Sequence, residues 1–256
     1  MKVVDLNCDL GEDFGRWKIS LNPEIMSLIT SANIACGFHA GSPGVMRRTV
    51  KLAARGMAIG AHPGLPDLVG FGRRPMDISP DEARDDLVYQ VGALAAFARA
   101  EGVRLTHVKP HGALYNQAAG DRRLAEALVE GIREVDPSLI LVALSGSELY
   151  KAGKTAGLRT ASEVFGDRTY SRDGGLVPRS QPGALIHDHE KAVEQVLRMV
   201  QEGVVIAVDG TRVPIVADTI CLHGDGPDAL GFAQAIRTAL ERSGVRVAPL
   251  ADWLEM

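Results

Sequence analysis

Five times along this chain a glycine is followed at once by a short apolar run: Gly56 by MAIGAH, Gly102 by VRLTHV, Gly157 by LRTASEV, Gly203 by VVIAV and Gly244 by VRVAPL. A glycine just past a helix accepts the left-handed backbone that ends it, and the β-rich run after it starts a strand. The intervening stretches supply the helices. The clearest lies between Ser79 and Gly102: Ser79 and Glu82 form a capping-box pattern, Pro80 suits the first helical position, and Ala83, Leu87, Val91, Leu94 and Ala98 recur at helical spacing. Further helices are expected near 43–55, 122–134, 147–156, 189–202 and 228–243. Strand-then-helix alternation from end to end calls for a parallel sheet with right-handed crossovers. Seven or eight such units in 256 residues predict an α/β fold in which one domain, residues 1–256, forms a closed (β/α) barrel of seven or eight parallel strands. No dinucleotide-binding fingerprint supports the doubly wound alternative.

Two segments interrupt the rhythm, PGLPDLVGFGRRPMDIS after the third strand and FGDRTYSRDGGLVPRSQPGALIHD after the sixth. Both are rich in Gly, Pro and Arg and long enough to cover a substrate. The run VVIAVDGTRVPIVAD, with Asp209-Gly210 between alternating apolar residues, predicts a β-hairpin inserted before the next barrel strand.

Six apolar runs end in polar clusters: VVDLNCDLGED, ANIACGFHAG, AIGAHPG, LTHVKPHGALYN, ASEVFGDR and ICLHGDG. In parallel barrels the residues past the carboxyl ends of the strands gather at one rim, where active sites are built. That rim would collect Asp9, His39, His62, Lys109, His111, Asp167, His223 and Asp225. Asp5, Asn7 and Asp9 alternate along the first strand and share a face. With Glu12 and Asp13, Asp9 makes a carboxylate cluster able to hold a divalent cation or act as a general base; alternatively Asp5 and Asn7 cap turns while Glu12 and Asp13 are solvated. An Asp from one strand and single His residues from two others suffice for a catalytic metal with open positions, although a lone strand-end His is as readily a hydrogen-bonded structural residue. His107, set back from the rim, fits the structural role better than His62 or His111. Lys109 can offset charge that develops in a transition state, and Arg179 in LVPRS can clamp a substrate carboxylate. His187 and His189 read as exposed residues at a helix start.

A net charge of -4, with basic residues scattered among acidic ones, argues against a nucleic-acid surface. No apolar stretch approaches the ~20 residues of a membrane span, and no signal-like leader precedes the first strand, so a cytoplasmic location is the default. Cys8, Cys36 and Cys221 are odd in number and without CxxC spacing, which fits small buried hydrophobes. AGKT at Ala152 to Thr155 fails as a P-loop, because the first required glycine is Glu148 and no strand leads into it. No GxSxG nucleophile elbow is present.

Together the blocks DLNCDLGE, SANIACGFHAG, AIGAHPGLPD, GFGRR, HVKPHGALYN, SEVFGDRTY, DGGLVPRSQPGALI and ICLHGDGPDAL resemble the LamB/YcsF family of 5-oxoprolinase A subunits, from about residue 3 to about 250. The resemblance implies an irregular (β/α) barrel like those of glycoside hydrolases and polysaccharide deacetylases. It also implies action with 5-oxoprolinase subunits B and C in the ring opening of 5-oxo-L-proline to L-glutamate, with ATP as cosubstrate and ADP and phosphate formed. Asp9, His62, Lys109 and His111 fall at the positions expected for catalysis, and Asn7, His39, Glu163, Arg179, His223 and Asp225 at those expected for substrate binding. The related deacetylases hold a metal with an Asp and two His residues, matched here by Asp9, His62 and His111, so the resemblance admits a divalent metal. Ser42 stands where the family commonly has Asp, and Gly166 where it commonly has Ala. An ATP-independent metal-dependent deacetylase or amidohydrolase, and a noncatalytic subunit that presents ligand, are the alternatives.

Overall fold

The protein, described by a computed structural model over residues 1–18, 23–222 and 228–255, contains the strands β1 (Val3–Leu10), β2 (Ser31–Ala35), β3 (Ala58–His62), β4 (His107–Val108), β5 (Ile140–Leu144), β6 (Thr160–Phe165), β7 (Val204–Ile206), β8 (Arg212–Pro214), β9 (Thr219–Leu222) and β10 (Arg246–Val247). The helices are α1 (Pro43–Ala53), α2 (Pro80–Ala100), α3 (Gly112–Gly120), α4 (Arg122–Val135), α5 (Glu148–Thr155), α6 (His189–Glu202) and α7 (Ala229–Arg242). Strands β1 to β6 pair in order and in parallel, and β9 pairs with both β6 and β1, which closes a seven-stranded barrel. The irregularity sits at this seam. β1 pairs with β10 through Val3 and Val4 and with β9 through Asp5 to Cys8, so two short strands share one long edge in succession. The β7–β8 hairpin, turning through Asp209-Gly210, pairs antiparallel outside the barrel as the sequence predicts.

Local chemistry sets the helix bounds. The Ser79 hydroxyl accepts from the Glu82 amide while the Glu82 carboxylate accepts from the Ser79 amide, and Pro80 follows. Helix α6 ends at Gly203 with φ 68°, a left-handed conformation that releases the chain into β7. Ala152 to Thr155 lie within α5, away from any strand-to-helix phosphate loop. Helix α3 is an element that the sequence pattern does not announce.

The barrel separates apolar from polar residues across its wall. Val4, Leu6, Cys8 and Leu10 of β1, Ala32 and Ile34 of β2, and Val108 of β4 are buried in the layer shared with the helices. The inward positions carry Asp5, Asn7, Asp9, Ser31, Asn33, His62, His107, Glu163 and Thr219, and side chains inside the barrel satisfy them: Asn33 donates to Asn7 Oδ1 at 2.7 Å, and Asn7 donates to Thr219 Oγ1 at 2.7 Å. His107 bonds Asn33 Oδ1 at 2.9 Å and Thr106 Oγ1 at 2.8 Å, the structural role expected of it. Its ring lies where a Cβ on Gly60 would come within 2.1 Å, so β3 needs glycine there. Ile140, Val142, Ala161 and Leu250, with Trp253 and Leu254 packed against them, form a small apolar cluster of their own.

Asp5 lies deepest in this network. Its carboxylate accepts from Thr30, Ser31 and Thr219, yet burial outweighs these bonds and raises its pKa from 3.8 to about 6. A carboxyl whose native pKa exceeds its unfolded value contributes stability that is full below about pH 4 and is lost as pH rises through about 6. The ionised form therefore costs on the order of 3 kcal/mol at neutral pH. Urea unfolding from pH 4 to 8 should show the wild type losing stability relative to Asp5→Asn across this window. Parallel pH profiles for the two proteins would count against the assignment.

Candidate active site

A cavity of about 810 Å³ opens at the carboxyl ends of the strands, lined by Asp9, His62, Lys109, His111, Tyr115 and Phe165 among others. Its volume suits a small-molecule site. Both interrupting segments wall it, the first through Arg73 and Pro75 and the second through Arg168, Gly174, Leu176 and Arg179. Arg74 grips Asp67 within the first segment and holds that carboxyl down at about 2. In the second, Arg168 is buried and donates to Val177 O at 2.6 Å; burial and the neighbouring Arg179 lower its pKa to about 10.

Lys109 is the node at the base of the cavity. Its ammonium lies 3.1 Å from Asp9 Oδ1, 2.8 Å from Glu163 Oε1, 3.1 Å from Asn7 Oδ1 and 3.1 Å from Cys221 Sγ. Burial opposes its charge, but the surrounding carboxylates prevail and hold its pKa well above the ordinary lysine value. Cys221 acts here as a neutral neighbour, since burial keeps its thiol protonated. Glu163 also accepts from the Tyr115 hydroxyl at 2.7 Å. The two carboxylates fix the ammonium, and the two neutral partners are the ones an incoming oxyanion can displace at least cost.

Beside this node three imidazoles converge with a carboxylate. His62 Nδ1 lies 2.7 Å from Lys109 O and His111 Nε2 lies 2.8 Å from Phe71 O. A carbonyl only accepts, so both nitrogens carry the proton, and in the neutral rings His62 Nε2 and His111 Nδ1 face each other at 2.9 Å as lone pairs. Glu12 Oε1 lies 3.4 Å from His111 Nδ1 and 3.3 Å from His39 Nε2, and Asp9 Oδ2 lies 3.2 Å from His62 Nε2. Burial, then the other imidazoles, holds His111 and His39 well below the ordinary histidine pKa, while burial pushes Glu12 up. His39 stacks on His111 with ring centroids 3.7 Å apart. Glu12 Oε1 and both His39 nitrogens are buried without a hydrogen-bond partner. The Glu12 oxygen and the one lone pair of the neutral His39 ring, beside the lone pairs of two further imidazoles, are a donor set that fits a divalent metal.

The backbone around the rings is built for this approach. Phe71 alone among described non-glycine residues has positive φ, 56°, which turns its carbonyl toward His111. A Cβ on Gly72 would come within 2.7 Å of His39 Cβ and 2.9 Å of His111 Cδ2.

Of the residues singled out in the sequence, Asp9, His62, Lys109, His111 and Arg179 line the cavity. Asn7 and Glu163, expected to bind substrate, are instead fully buried beneath it and grip Lys109. His39, also expected to bind substrate, lies behind His111 as the third imidazole. The three residues expected at a metal, Asp9, His62 and His111, lie together, and four donors within 4.8 Å of one another come from Glu12, His39, His62 and His111. Glu12, read as a solvated alternative, turns inward. His223 and Asp225 lie outside the described residues. His189 is partly exposed at the start of α6, 3.0 Å from Asp228, and Ser42 stands at the start of α1. A Cβ on Gly166 would come within 2.9 Å of Ile236 Cδ1, the far end of a flexible side chain. Arg168 and Tyr115, which lie within the blocks SEVFGDRTY and HVKPHGALYN, are not singled out by sequence reasoning; Tyr115 is presented by α3.

Residues 4–255 match the LamB/YcsF family. The chain is 59% identical over 253 residues to the 5-oxoprolinase A subunit of Bacillus subtilis (strain 168), covering 98% of each chain. It superimposes with a TM-score of 0.90 and 52% identity on the crystal structure of the lactam utilization protein from Thermus thermophilus, over 97% of this chain and 99% of that one. A putative cellobiose-phosphate cleavage protein from Enterococcus faecalis V583, 15% identical with a TM-score of 0.57 over 99% of both chains, shares the fold. With the family match running through every strand and every wall of the cavity, this chain belongs to the LamB/YcsF family.

Proposed function

We propose that this chain is the A subunit of an ATP-dependent 5-oxoprolinase, carrying the site at which the ring of 5-oxo-L-proline is opened to L-glutamate. The observation that carries the reading is the cavity wall on which the Asp9 carboxylate, the Lys109 ammonium and the His62 and His111 imidazoles meet. The names of relatives 59% identical over nearly the whole chain supply the substrate for this reading.

The chemistry asks for such a wall. Amide resonance protects the lactam carbonyl, and the ring nitrogen must gain a proton before it leaves. With subunits B and C as partners, ATP removes the first obstacle by phosphorylating the lactam oxygen: water adds to the activated carbon, the ring C–N bond breaks as the nitrogen is protonated, and a second water releases phosphate from the γ-glutamyl phosphate so formed to give L-glutamate. Lys109 offsets the negative charge on the phosphorylated lactam oxygen, Arg179 at the mouth holds the substrate carboxylate, and Asp9 accepts the proton of the attacking water and returns it to the leaving ring nitrogen. His62, whose ring is fixed by Lys109 O, orients Asp9. A divalent metal held beside His62 and His111 would supply Lewis-acid polarisation to the same wall. With Ala152 to Thr155 held in helix geometry, nucleotide recognition does not use a P-loop here. The demand of the reaction for ATP places its proposed site of action in the cytoplasm. Among the described residues no helix is long and apolar enough to cross a membrane.

The direct test measures glutamate and ADP from 5-oxo-L-proline and ATP with this chain alone, subunits B and C alone, and the mixture. Glutamate formed by the mixture only, in step with ADP, is the expected result. Turnover of the chain alone without ATP would favour an amidohydrolase or deacetylase, and ligand binding without any turnover in the mixture a presenting subunit.

A further inference from the structure

We propose that Glu12, His39, His62 and His111 form a binding site for a first-row divalent transition-metal ion, with Glu12 supplying the carboxylate and Asp9 outside the ligand set. The proposal goes beyond the oxoprolinase reading and stands on the geometry of the four side chains.

The spacing of the donors is the first argument. Ligands about 2.1 Å from a common ion lie about 3.0 Å apart at a right angle and about 3.4 Å apart in a tetrahedron. Three of the six separations fall in this range, 2.9 Å between His62 and His111, 3.4 Å between Glu12 and His111, and 3.3 Å between Glu12 and His39, and all four donors lie within 4.8 Å of one another. In the neutral rings the His62–His111 contact carries no proton. His62 and His111 have each committed their ring proton to a backbone carbonyl, and Glu12 Oε1 and both His39 nitrogens have no hydrogen-bond partner while buried. Several acceptors facing one point repel unless a cation sits among them.

The supporting shell is the second argument. Fixing the outer nitrogen of an imidazole with a carbonyl sets the tautomer that ligates, and the protein does so twice, once at the cost of a left-handed Phe71. Gly72 leaves room for His39 and His111 to stack in the same orientation. Three imidazoles and one carboxylate favour Zn²⁺, Co²⁺ or Fe²⁺ over Mg²⁺ or Ca²⁺, which prefer all-oxygen sites. Asp9 is committed elsewhere, its Oδ1 being held by Asn33 at 2.9 Å and Lys109 at 3.1 Å. Its Oδ2 lies 3.2 Å from His62 Nε2 but falls outside the four donors that lie within 4.8 Å of one another.

The test titrates chelator-stripped full-length chain with Co²⁺ and Zn²⁺, read by calorimetry, by bound metal after gel filtration and by the visible absorption of Co²⁺. One ion per chain is expected. Glu12→Gln and His39→Gln, which each remove a ligand, should weaken binding by more than the roughly 10–100-fold typical of losing an outer-shell partner, whereas Asp9→Asn should still bind one ion per chain. Circular dichroism checks the fold of each variant, and His39→Gln carries the comparison should Glu12→Gln misfold. Absence of stoichiometric uptake by the wild type overturns the proposal, as does loss of binding in Asp9→Asn with retention in Glu12→Gln. The readout is bound metal, so failure of turnover with the partners leaves it intact. Conversely, glutamate release by the mixture without stoichiometric metal uptake would overturn this inference alone.

Discussion

Lys109→Met should lower the folding free energy by about 3–5 kcal/mol and abolish partner-supported turnover. The lysine is 3% exposed and is a cation that Asp9 and Glu163 both contact. Methionine fills the volume of the stem but deprives two carboxylates, one of them fully buried, of this counter-ion. A raised native pKa means the lysine's contribution is full below its unfolded pKa of about 10.4 and is lost only as pH rises through the still higher native value. The deficit should therefore be the same at pH 6 and pH 8. Adding Glu163→Gln should recover part of the stability and none of the turnover, because the amide removes a buried charge but restores no ammonium beside the substrate. Urea unfolding of the two singles and the double reads the coupling. A loss below about 1 kcal/mol for Lys109→Met, the level of an exposed pair, would mean that the ammonium is not balancing the barrel's carboxylates.

The second large effect is kinetic. Asp9→Asn should reduce kcat of the assembled enzyme by about 10²–10⁴-fold, the usual worth of a positioned general base. The substitution keeps the shape of the side chain, and its carbonyl oxygen can still accept from Asn33 and Lys109 as Oδ1 does now. What it removes is the proton acceptor facing the cavity next to His62. Because the substrate carboxylate is assigned to Arg179, KM should move little while kcat falls. A folded Asp9→Asn chain with full turnover would take Asp9 out of the mechanism, and a rise in KM alone would make it a binding residue.

Most of the scaffold can be read from residues because its signals are local. Glycines at helix ends, the Ser79/Glu82 box and the Asp209-Gly210 turn each act within four residues, and the corresponding boundaries fall within a few residues of expectation. Helix α3 escapes because GALYNQAAG is short, opens without a side-chain cap and follows His111 directly. The site is legible where a residue sits on a strand or just past its carboxyl end. Asp9, His62 and Lys109 follow from strand alternation, which fixes the face. Glu12 lies in the loop after β1, and nothing in DLGED says that it turns back under the rim to meet His39 and His111. Alternation puts Asn7 on one face with Asp9 but does not say how far below the cavity it lies, and Glu163, named only through the family resemblance, is buried as deeply.

The barrel's seam also bears on how the protein is made. Strand β1 must wait for β9, so Asp5 and Thr219 meet across almost the whole chain. During synthesis the residues of the histidine cluster have all emerged by position 111, yet until Thr219–Leu222 leaves the ribosome β1 and β6 both present bare edges. Such edges invite pairing with other chains. Production of this protein should therefore respond more to chaperone supply and to slow translation across residues 166–218 than its thermodynamic stability would suggest, and truncations that spare every cavity residue but remove β9 should aggregate instead of yielding a smaller soluble domain.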